Sequence, residues 1–399
     1  MSNNFNEKKN ERLLIFGHAT SKLGDMFFDY VNQIFLVTNF TNKPWILATY
    51  QSGEHIASAL FNVIGGTLAD CTDGKRMLIL CDLLSSLLCF LCAFFVDFPS
   101  FSIILIVVNA LLALIFSFQS PCFRSIISQM IHKEKISDYN SKNNICLQII
   151  EIGGPIIAVA TAKLVGFQIA LIIDGITFLV SAISEFNLIP ITEAEKIGFS
   201  KKRIADGFQV IAKDKLLLIQ MLACILTNFF MAGFNLLLPY TEIIYKSRVK
   251  NFYAKVLVVE AIGGLVGAFL CPKIKKELRE NSIFLLATLC LEGIALILVP
   301  FTSQAGLYMV FFIPFFLLDL SLSVYNINYM SFVQMNVKQE VQGRVFGIMF
   351  SLNVIIMPIG SYLFSFLKFT NNVFGFGILG IGIISVALIC LLLILLLSK

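Results

Sequence analysis

The sequence predicts an all-α membrane protein in which twelve transmembrane helices form two pseudo-symmetric six-helix bundles. Three observations predict this fold class: the composition, the number of apolar runs and an internal repeat. Of the 399 residues, 57% are hydrophobic and 14% are charged, whereas about 25% of residues are charged in an ordinary soluble domain. Such a composition cannot cover a water-exposed surface, and it therefore indicates a chain that lies in a lipid bilayer.

Twelve apolar runs follow one another, separated by short polar breaks. A crossing helix needs about 20 mostly apolar residues, because the hydrocarbon core is about 30 Å thick. The first six runs cover residues 13–38, 45–69, 77–96, 101–122, 143–164 and 167–190. The second six cover residues 216–240, 252–271, 282–300, 305–330, 343–366 and 373–397. The even number predicts that both termini lie on the same side of the membrane.

The basic residues assign that side to the cytoplasm. In this arrangement, 22 of the 30 Lys and Arg residues lie on the face that holds both termini, and cytoplasmic loops carry such an excess. The same distribution accounts for the net charge of +5 without a nucleic-acid partner. We therefore expect a multi-pass plasma-membrane protein that contacts membrane lipid, has both termini in the cytoplasm and binds no nucleic acid.

A polar stretch divides the spans six and six. It predicts an N-terminal six-helix bundle at residues 1–190, a cytoplasmic linker at 191–215 and a C-terminal six-helix bundle at 216–399. Within the linker, apolar residues at helical spacing alternate with basic ones, a pattern typical of an amphipathic helix on an anionic leaflet. A solvated linker without that helix is the alternative interpretation.

Short motifs recur at an offset of about half the chain. Gln129-Met130, after the fourth span, recurs as Gln334-Met335 after the tenth, and Pro155 in the fifth span has Pro358 as its counterpart in the eleventh. Duplicated six-span halves are a transporter design in which the substrate path lies between the halves. The repeat therefore favours a secondary transporter that works by alternating access.

Ionisable residues inside the spans are functional candidates, because each costs about 3 kcal/mol to insert. Asp25 and Asp29 lie four residues apart and hence on one helical face, where two carboxylates disfavour double ionisation. Lys22 offers a competing interpretation, since an ion pair would hold a carboxylate charged. Glu151 and Glu260 occupy the middle of the fifth and eighth spans. These four acids are the candidates for proton coupling or substrate contact.

Further ionisable residues in the spans receive structural interpretations. We expect Asp174, Glu292 and Asp319 to be interhelical hydrogen-bond partners. Glu54 and His55 point about 100° apart on a helix and cannot share a face, so we expect His55 to be a packing residue. The interior is rich in acids and poor in bases, which favours cationic or proton-coupled cargo over anionic cargo.

The turn between the second and third spans, residues 65–76, carries the sharpest local motif. Its glycines allow helices to approach closely, and Asp70 can face helix N-terminal amides. This turn resembles the signature loop of the major facilitator superfamily, although Cys71 and Gly74 stand where that loop has basic residues. The resemblance implies a cytoplasmic gate that consists of Gly66, Asp70, Lys75 and Arg76.

Other motifs extend the resemblance along the chain. They are Ser120-Pro121, Gly154-Pro155, Leu238-Pro239-Tyr240, Gly343-Arg344-Val345-Phe346 and Met357-Pro358-Ile359-Gly360. Their order and spacing resemble the macrolide-efflux-like branch of the superfamily, among the drug/proton antiporters. Gly154 and Pro155 also match part of the antiporter motif, although Ile150, Ala158 and Val159 replace its other glycines. Close packing and a bend in the helix form the alternative interpretation of this pair.

The resemblance implies proton-coupled export of small amphipathic compounds, macrolide-like or multidrug-like, by a monomer. The alternatives are a transporter of the same fold with siderophore, lipid or peptide cargo, and a membrane receptor or enzyme without transport. The ten cysteines lack metal-ligand spacing, and the sequence contains no Walker A loop and no nucleophile and base constellation. We therefore expect no enzymatic activity, no metal and no cofactor.

Overall fold

The computed structural model describes residues 2–69, 73–132, 135–191, 209–245, 250–279, 281–302, 308–337, 339–367 and 373–397. Within these ranges, helices and short turns account for the regular structure, and no strand occurs. This follows from the apolar composition, because a helix satisfies all its backbone hydrogen bonds within one segment and needs no water. The all-α prediction is confirmed.

In the part of the first half that the structure describes, there are six long helices. They are α1 (Ser2–Asn39), α2 (Pro44–Ala69), α3 (Gly74–Phe94), α4 (Phe101–Met130), α5 (Ile136–Val165) and α6 (Phe167–Phe186). Gly166 alone separates α5 from α6, at a φ of 88°. Glycine adopts this left-handed backbone without steric cost, which permits the abrupt turn. The helix α3 begins after Asp73, whose side chain accepts a hydrogen bond from the Arg76 backbone.

The described residues of the second half contain seven further helices of ten residues or more. They are α7 (Lys215–Leu237), α8 (Phe252–Leu270), α9 (Ser282–Thr302), α10 (Ile313–Asn336), α11 (Gln339–Ile355), α12 (Met357–Phe366) and α13 (Phe374–Leu397). The predicted eleventh span, 343–366, is therefore two helices that meet at Ile356. Pro358 lies in the first turn of α12, where proline is tolerated because the backbone N–H there has no helical partner.

Ten helices in the described part of the chain are long and apolar enough to cross a membrane. The first of them is α3, so α1 and α2 are not in this set. The helix α1 carries Lys22, Asp25 and Asp29 within eight residues, and α2 carries Gln51, Glu54 and His55. These groups reduce the hydropathy of both helices. The number of twelve spans stays a prediction.

The chain divides into two compact units. Unit 1 consists of Met1–Asn39 and Gly53–Phe199, and unit 2 consists of Phe40–Ser52 and Ser200–Lys399. In unit 1, α1 packs on α5 and α6, and α3 packs on α4 and α6. In unit 2, α7 packs on α12 and α13, and α9 packs on α10 and α13. Since α11 and α12 together correspond to the fifth predicted span of their half and α13 to the sixth, both units repeat one packing scheme.

The predicted domain bounds stay a prediction. The predicted linker at 191–215 falls largely on residues 192–208, which lie outside the described residues. Of the apolar residues that suggested an amphipathic helix there, Ile204 and Phe208 belong to that stretch, while Ile211 is described and buried.

Hydrogen bonds and an ion pair connect the N-terminal turns of α1 to the loops that follow α4 and α6. Asn10 exchanges hydrogen bonds with the backbone of Ile189, at 2.7 and 3.0 Å. Glu7 Oε2 lies 2.6 Å from Lys135 Nζ, and Glu7 Oε1 accepts a hydrogen bond from the His132 backbone. Burial alone would raise the pKa of Glu7, but these two donors hold its pKa below the ordinary value. The extension of α1 before the predicted span is thus an ordered part of unit 1.

Candidate functional site

Unit 1 contains a cavity of about 360 Å³ that is lined by side chains of α1, α4, α5 and α6. Three carboxylates line it, on Asp25, Glu151 and Glu185, together with the ammonium group of Lys22. Aromatic and aliphatic side chains complete the lining, among them Phe116 of α4. Pockets of about 300–1,000 Å³ with an apolar lining and a few polar groups are typical of small-molecule sites.

The helix α1 contributes one polar face to the cavity. His18, Ser21, Lys22 and Asp25 all line it, and their spacing of three and four residues places them on one side of a helix. His18 Nδ1 lies 3.1 Å from Asn143 Oδ1 of α5, which also lines the cavity. Two of the groups that lower the hydropathy of α1, Lys22 and Asp25, therefore face this cavity inside unit 1.

The structure separates the four predicted coupling candidates. Asp25 and Glu151 line the cavity. Asp29 does not line it, and its Oδ1 accepts a 2.8 Å hydrogen bond from Gln33 Nε2 one turn further along α1. Glu260 belongs to α8 in unit 2, where it is buried.

Lys22 acts electrostatically on Asp25 within the cavity. Ion pairs within 4.0 Å in the described residues include Arg76–Asp73, Lys135–Glu7 and Lys142–Glu11, and none joins Lys22 to Asp25. A direct Lys22–Asp25 ion pair, the competing interpretation from the sequence, is therefore not formed.

Two buried acids were missing from the sequence-based candidates. Asp82 of α3 is 0% exposed, and its Oδ1 accepts hydrogen bonds from Ser21 Oγ at 3.2 Å and Gln119 Nε2 at 2.6 Å. Glu185 of α6 is 3% exposed and lines the cavity. The signal that could have found both is an ionisable residue inside an apolar run.

Among the described residues of unit 2, an acid lies within each of three successive helices, α8, α9 and α10. Glu260 of α8 and Glu292 of α9 each interact electrostatically with Asp319 of α10. Glu292 is 0% exposed, and neither of its carboxylate oxygens has a hydrogen-bond partner among the described residues. The expectation of an interhelical hydrogen bond is therefore wrong for Glu292. It is confirmed for Asp174, whose Oδ2 accepts a hydrogen bond from Cys89 Sγ of α3 at 3.2 Å.

Comparison with known proteins assigns the chain to a family. The sequence profile of the Major Facilitator Superfamily matches residues 14–361. The chain belongs to the Major Facilitator Superfamily. It is therefore a membrane-spanning transporter, and the family points away from an enzyme.

The curated relatives of the chain include efflux proteins. The chain is 21% identical to macrolide efflux protein A of Streptococcus pyogenes over 341 residues, which cover 83% of this chain and 82% of that protein. It is 20% identical to macrolide efflux protein A of Enterococcus faecalis over 313 residues, which cover 76% of this chain and 94% of that protein. These relatives agree with the macrolide-efflux-like branch to which the sequence motifs pointed.

Solved transporter structures share the superfamily fold. The nucleoside transporter NupG aligns with a TM-score of 0.79 at 13% identity and covers 96% of this chain and 98% of its own. A bacterial homologue of the iron transporter ferroportin, in an inward-facing state, aligns with a TM-score of 0.74 at 16% identity and covers 95% and 96%. At these identities the likeness shows the fold alone.

The superfamily signature loop is described only in part. Asp70 lies outside the described residues, and of Gly66 only the backbone, within α2, is described. Lys75 Nζ donates a 2.8 Å hydrogen bond to the Leu188 carbonyl, which joins the start of α3 to the end of α6. Arg76 forms an exposed ion pair with Asp73, the cap of its own helix. The gate formed by Gly66, Asp70, Lys75 and Arg76 stays a prediction.

Gly154 and Pro155, the antiporter-like pair, are buried in α5. The helix α5 runs through Pro155 from Ile136 to Val165 as one element. A Cβ atom on Gly154 would lie 3.2 Å from the sulfur of Met26 in α1, tighter than most contacts of real side chains. This contact supports the packing interpretation of the pair, and a role in antiport stays a prediction.

Proposed function

We propose that this transporter exports small amphipathic compounds, macrolide-like or multidrug-like, in exchange for protons. In the proposal it acts as a monomer in the plasma membrane, with both termini in the cytoplasm, and two helical bundles alternate access to the cargo. The observation that carries the proposal is the cavity in unit 1, which combines carboxylates with apolar side chains. The macrolide efflux relatives support the choice of cargo.

The proposed exchange follows from competition for negative charge. A carboxylate such as that of Asp25 or Glu151 attracts a cationic, amphipathic cargo while it is ionised. Protonation removes that charge, so the cargo is released on the side of the membrane where protons are more abundant. One proton per cargo molecule contributes about 1.4 kcal/mol for each pH unit across the membrane, which is a tenfold concentration ratio.

Transport by the purified protein in proteoliposomes tests the proposal. An imposed pH gradient should drive uphill accumulation of radiolabelled erythromycin or of ethidium, and a protonophore should abolish it. A nucleoside and a dipeptide serve as the alternative cargoes. Gradient-driven accumulation of either of these, with none of erythromycin or ethidium, would contradict the proposed cargo class. Erythromycin flux that does not depend on the pH gradient would contradict proton coupling.

Asp25→Asn tests the first coupling candidate. Because the amide cannot exchange a proton, we expect the accumulation driven by one pH unit to fall by about tenfold if one proton is lost from the cycle. Asp174→Asn is the matched control, because Asp174 is a buried acid of unit 1 that does not line the cavity. Unchanged accumulation in Asp25→Asn would remove Asp25 from the mechanism.

A further inference from the structure

The carboxyl groups of Asp82 and Glu185 lie beside the cavity and have no role in the exchange described above. Asp82 is held by Ser21 and Gln119, and both of these residues line the cavity together with Glu185. The two carboxylates interact electrostatically across the packed helices α3 and α6. The pair is therefore connected to the cavity through three of its lining residues.

Each member of the pair has one oxygen that lacks a hydrogen bond. Among the described residues, Asp82 Oδ2 and Glu185 Oε2 are buried and have no partner. A buried carboxylate oxygen without a donor is costly, and two carboxylates that interact in a low dielectric disfavour double ionisation. One proton held by the pair relieves both conditions, because it leaves a single negative charge and turns one bare oxygen into a hydrogen-bond donor.

The charged and titratable groups around the pair do not neutralise a second negative charge on Asp82 and Glu185. Asp25 interacts with Asp82 from α1, and Cys81 of α3 interacts with both acids. Across the cavity, the titratable groups are His18, Lys22 and Asp25 on α1, Glu151 on α5 and Glu185 on α6, while α4 contributes the neutral Gln119. Lys22 is the only lysine or arginine among these described groups, whereas three of them are carboxylates.

We propose that Asp82 and Glu185 share one proton and release it when a cationic cargo occupies the cavity. The inference rests on the proposed function and adds the proton donor to it. In the release step, the O–H bond of the pair breaks, the proton passes to water in the cavity, and the charge of the pair changes from −1 to −2. The positive charge of the cargo offsets the added negative charge. When the cargo leaves, the pair takes a proton back from water.

Infrared titration of the purified protein tests the pair without any cargo. In the wild type, we expect a protonated-carboxyl band that disappears as pH rises. Asp82→Asn and Glu185→Gln should each remove this band at the pH where the wild-type pair holds its proton. The double variant should remove no more signal than either single variant, because one proton is shared. Asp174→Asn, the control on α6, should leave the band in place.

Additive losses in the double variant, or single variants that leave the band unchanged, would overturn the proposal. Ser21→Ala is a milder variant for the case that a charge-removing substitution impairs folding. It deletes one donor to Asp82 Oδ1, so the band should keep its amplitude while its titration midpoint shifts. An unshifted midpoint would count against the pair.

Two transport assays distinguish failure of the pair from failure of the proposed function. We expect Asp82→Asn, whose carboxyl group does not line the cavity, to retain exchange of labelled for unlabelled erythromycin, and Glu185→Gln serves as the second variant in the accumulation assay. Accumulation driven by one pH unit should fall about tenfold. If the wild type shows no gradient-driven accumulation, the proposed function fails, and the infrared band still decides whether the proton is shared. If the wild type accumulates erythromycin and both variants accumulate it equally well, the pair is excluded from coupling.

Discussion

At the scale of single residues, the buried negative charge of Glu7 stabilises the fold of unit 1. It is buried, and Lys135 and the His132 backbone donate to its two oxygens. We expect Glu7→Gln to destabilise unit 1 by about 1–3 kcal/mol, because a hydrogen-bonded charge is lost while Lys135 stays half-exposed. Thermal unfolding in detergent measures the loss. Glu11→Gln is the control, since the Glu11–Lys142 pair is more exposed and is worth about 0–1 kcal/mol.

The same residue predicts a pH dependence. Because the pKa of Glu7 is lowered in the folded protein, its stabilising contribution is complete above its ordinary pKa and is lost as pH falls through the lowered folded value. The difference in melting temperature between wild type and Glu7→Gln should therefore shrink as the buffer is acidified below the ordinary range of a glutamate. A difference that stays constant down to strongly acidic pH would contradict this account.

The sequence could predict part of the candidate site at this scale. A charge in an apolar run is visible without a structure, and it selected Asp25 and Glu151, which line one cavity, while their role in coupling stays a prediction. Asp82 and Glu185 carry the same signal, although they were not among the predicted candidates. Ser21 and Gln119 could not be found, because small and amide side chains occur throughout apolar helices and the rotation of each helix about its axis is not encoded locally.

At the scale of helices, α9 and α13 meet at Gly293 and Gly380. A Cβ atom on Gly293 would lie 2.7 Å from the carbonyl oxygen of Gly380, and a Cβ atom on Gly380 would lie against the carbonyl oxygen of Gly293. Because lipid provides no hydrophobic force between helices, such close backbone contact stabilises their association.

We expect Gly380→Ala to lower stability by about 1–3 kcal/mol, the usual effect of overpacking. The melting temperature of the purified protein measures it. Gly377→Ala is the matched control on the same helix, because its Cβ atom would meet Pro300 Cγ at an ordinary 3.6 Å. Equal melting temperatures for the two variants would show that the α9–α13 contact tolerates a methyl group.

Helix positions were more predictable than helix ends. Apolar runs located the long helices because length and hydropathy are local properties. The turns of α1 before residue 13 were missed, since they are polar and depend on Asn10 and Glu7 reaching loops more than 120 residues away in sequence. The break at Ile356 was also missed, although Pro358 and Gly360 in the same run already weakened a continuous helix there.

At the scale of the whole molecule, acids lie on helices that hold the same place in each half. Glu54 and Glu260 lie on α2 and α8, the second long helix of each half, and Asp82 and Glu292 lie on α3 and α9, the third. The packing scheme of the helices in the two units also repeats. Short motifs indicated a repeat in the sequence, but they could not predict which helices pack together, because packing depends on contacts between residues far apart in the chain.

The even span number predicts the location of both termini. Reporter fusions at the N-terminus and the C-terminus should both be active only with a reporter that works in the cytoplasm. A fusion after residue 98, in the described turn between α3 and α4, should report the opposite side and serves as the control. Termini on opposite faces would contradict the twelve-span topology.

The low hydropathy of α1 and α2 also bears on how the protein is made. The insertion machinery transfers a segment into lipid according to its apolarity, and a central carboxylate or ammonium opposes that transfer. A nascent chain that ends after α2 should therefore partition poorly into the bilayer. The helices α5 and α6 pack on α1 and remove its charged side from lipid. We therefore expect α1 to integrate stably only after α5 and α6 have been synthesised, so that the helices of unit 1 do not assemble in chain order.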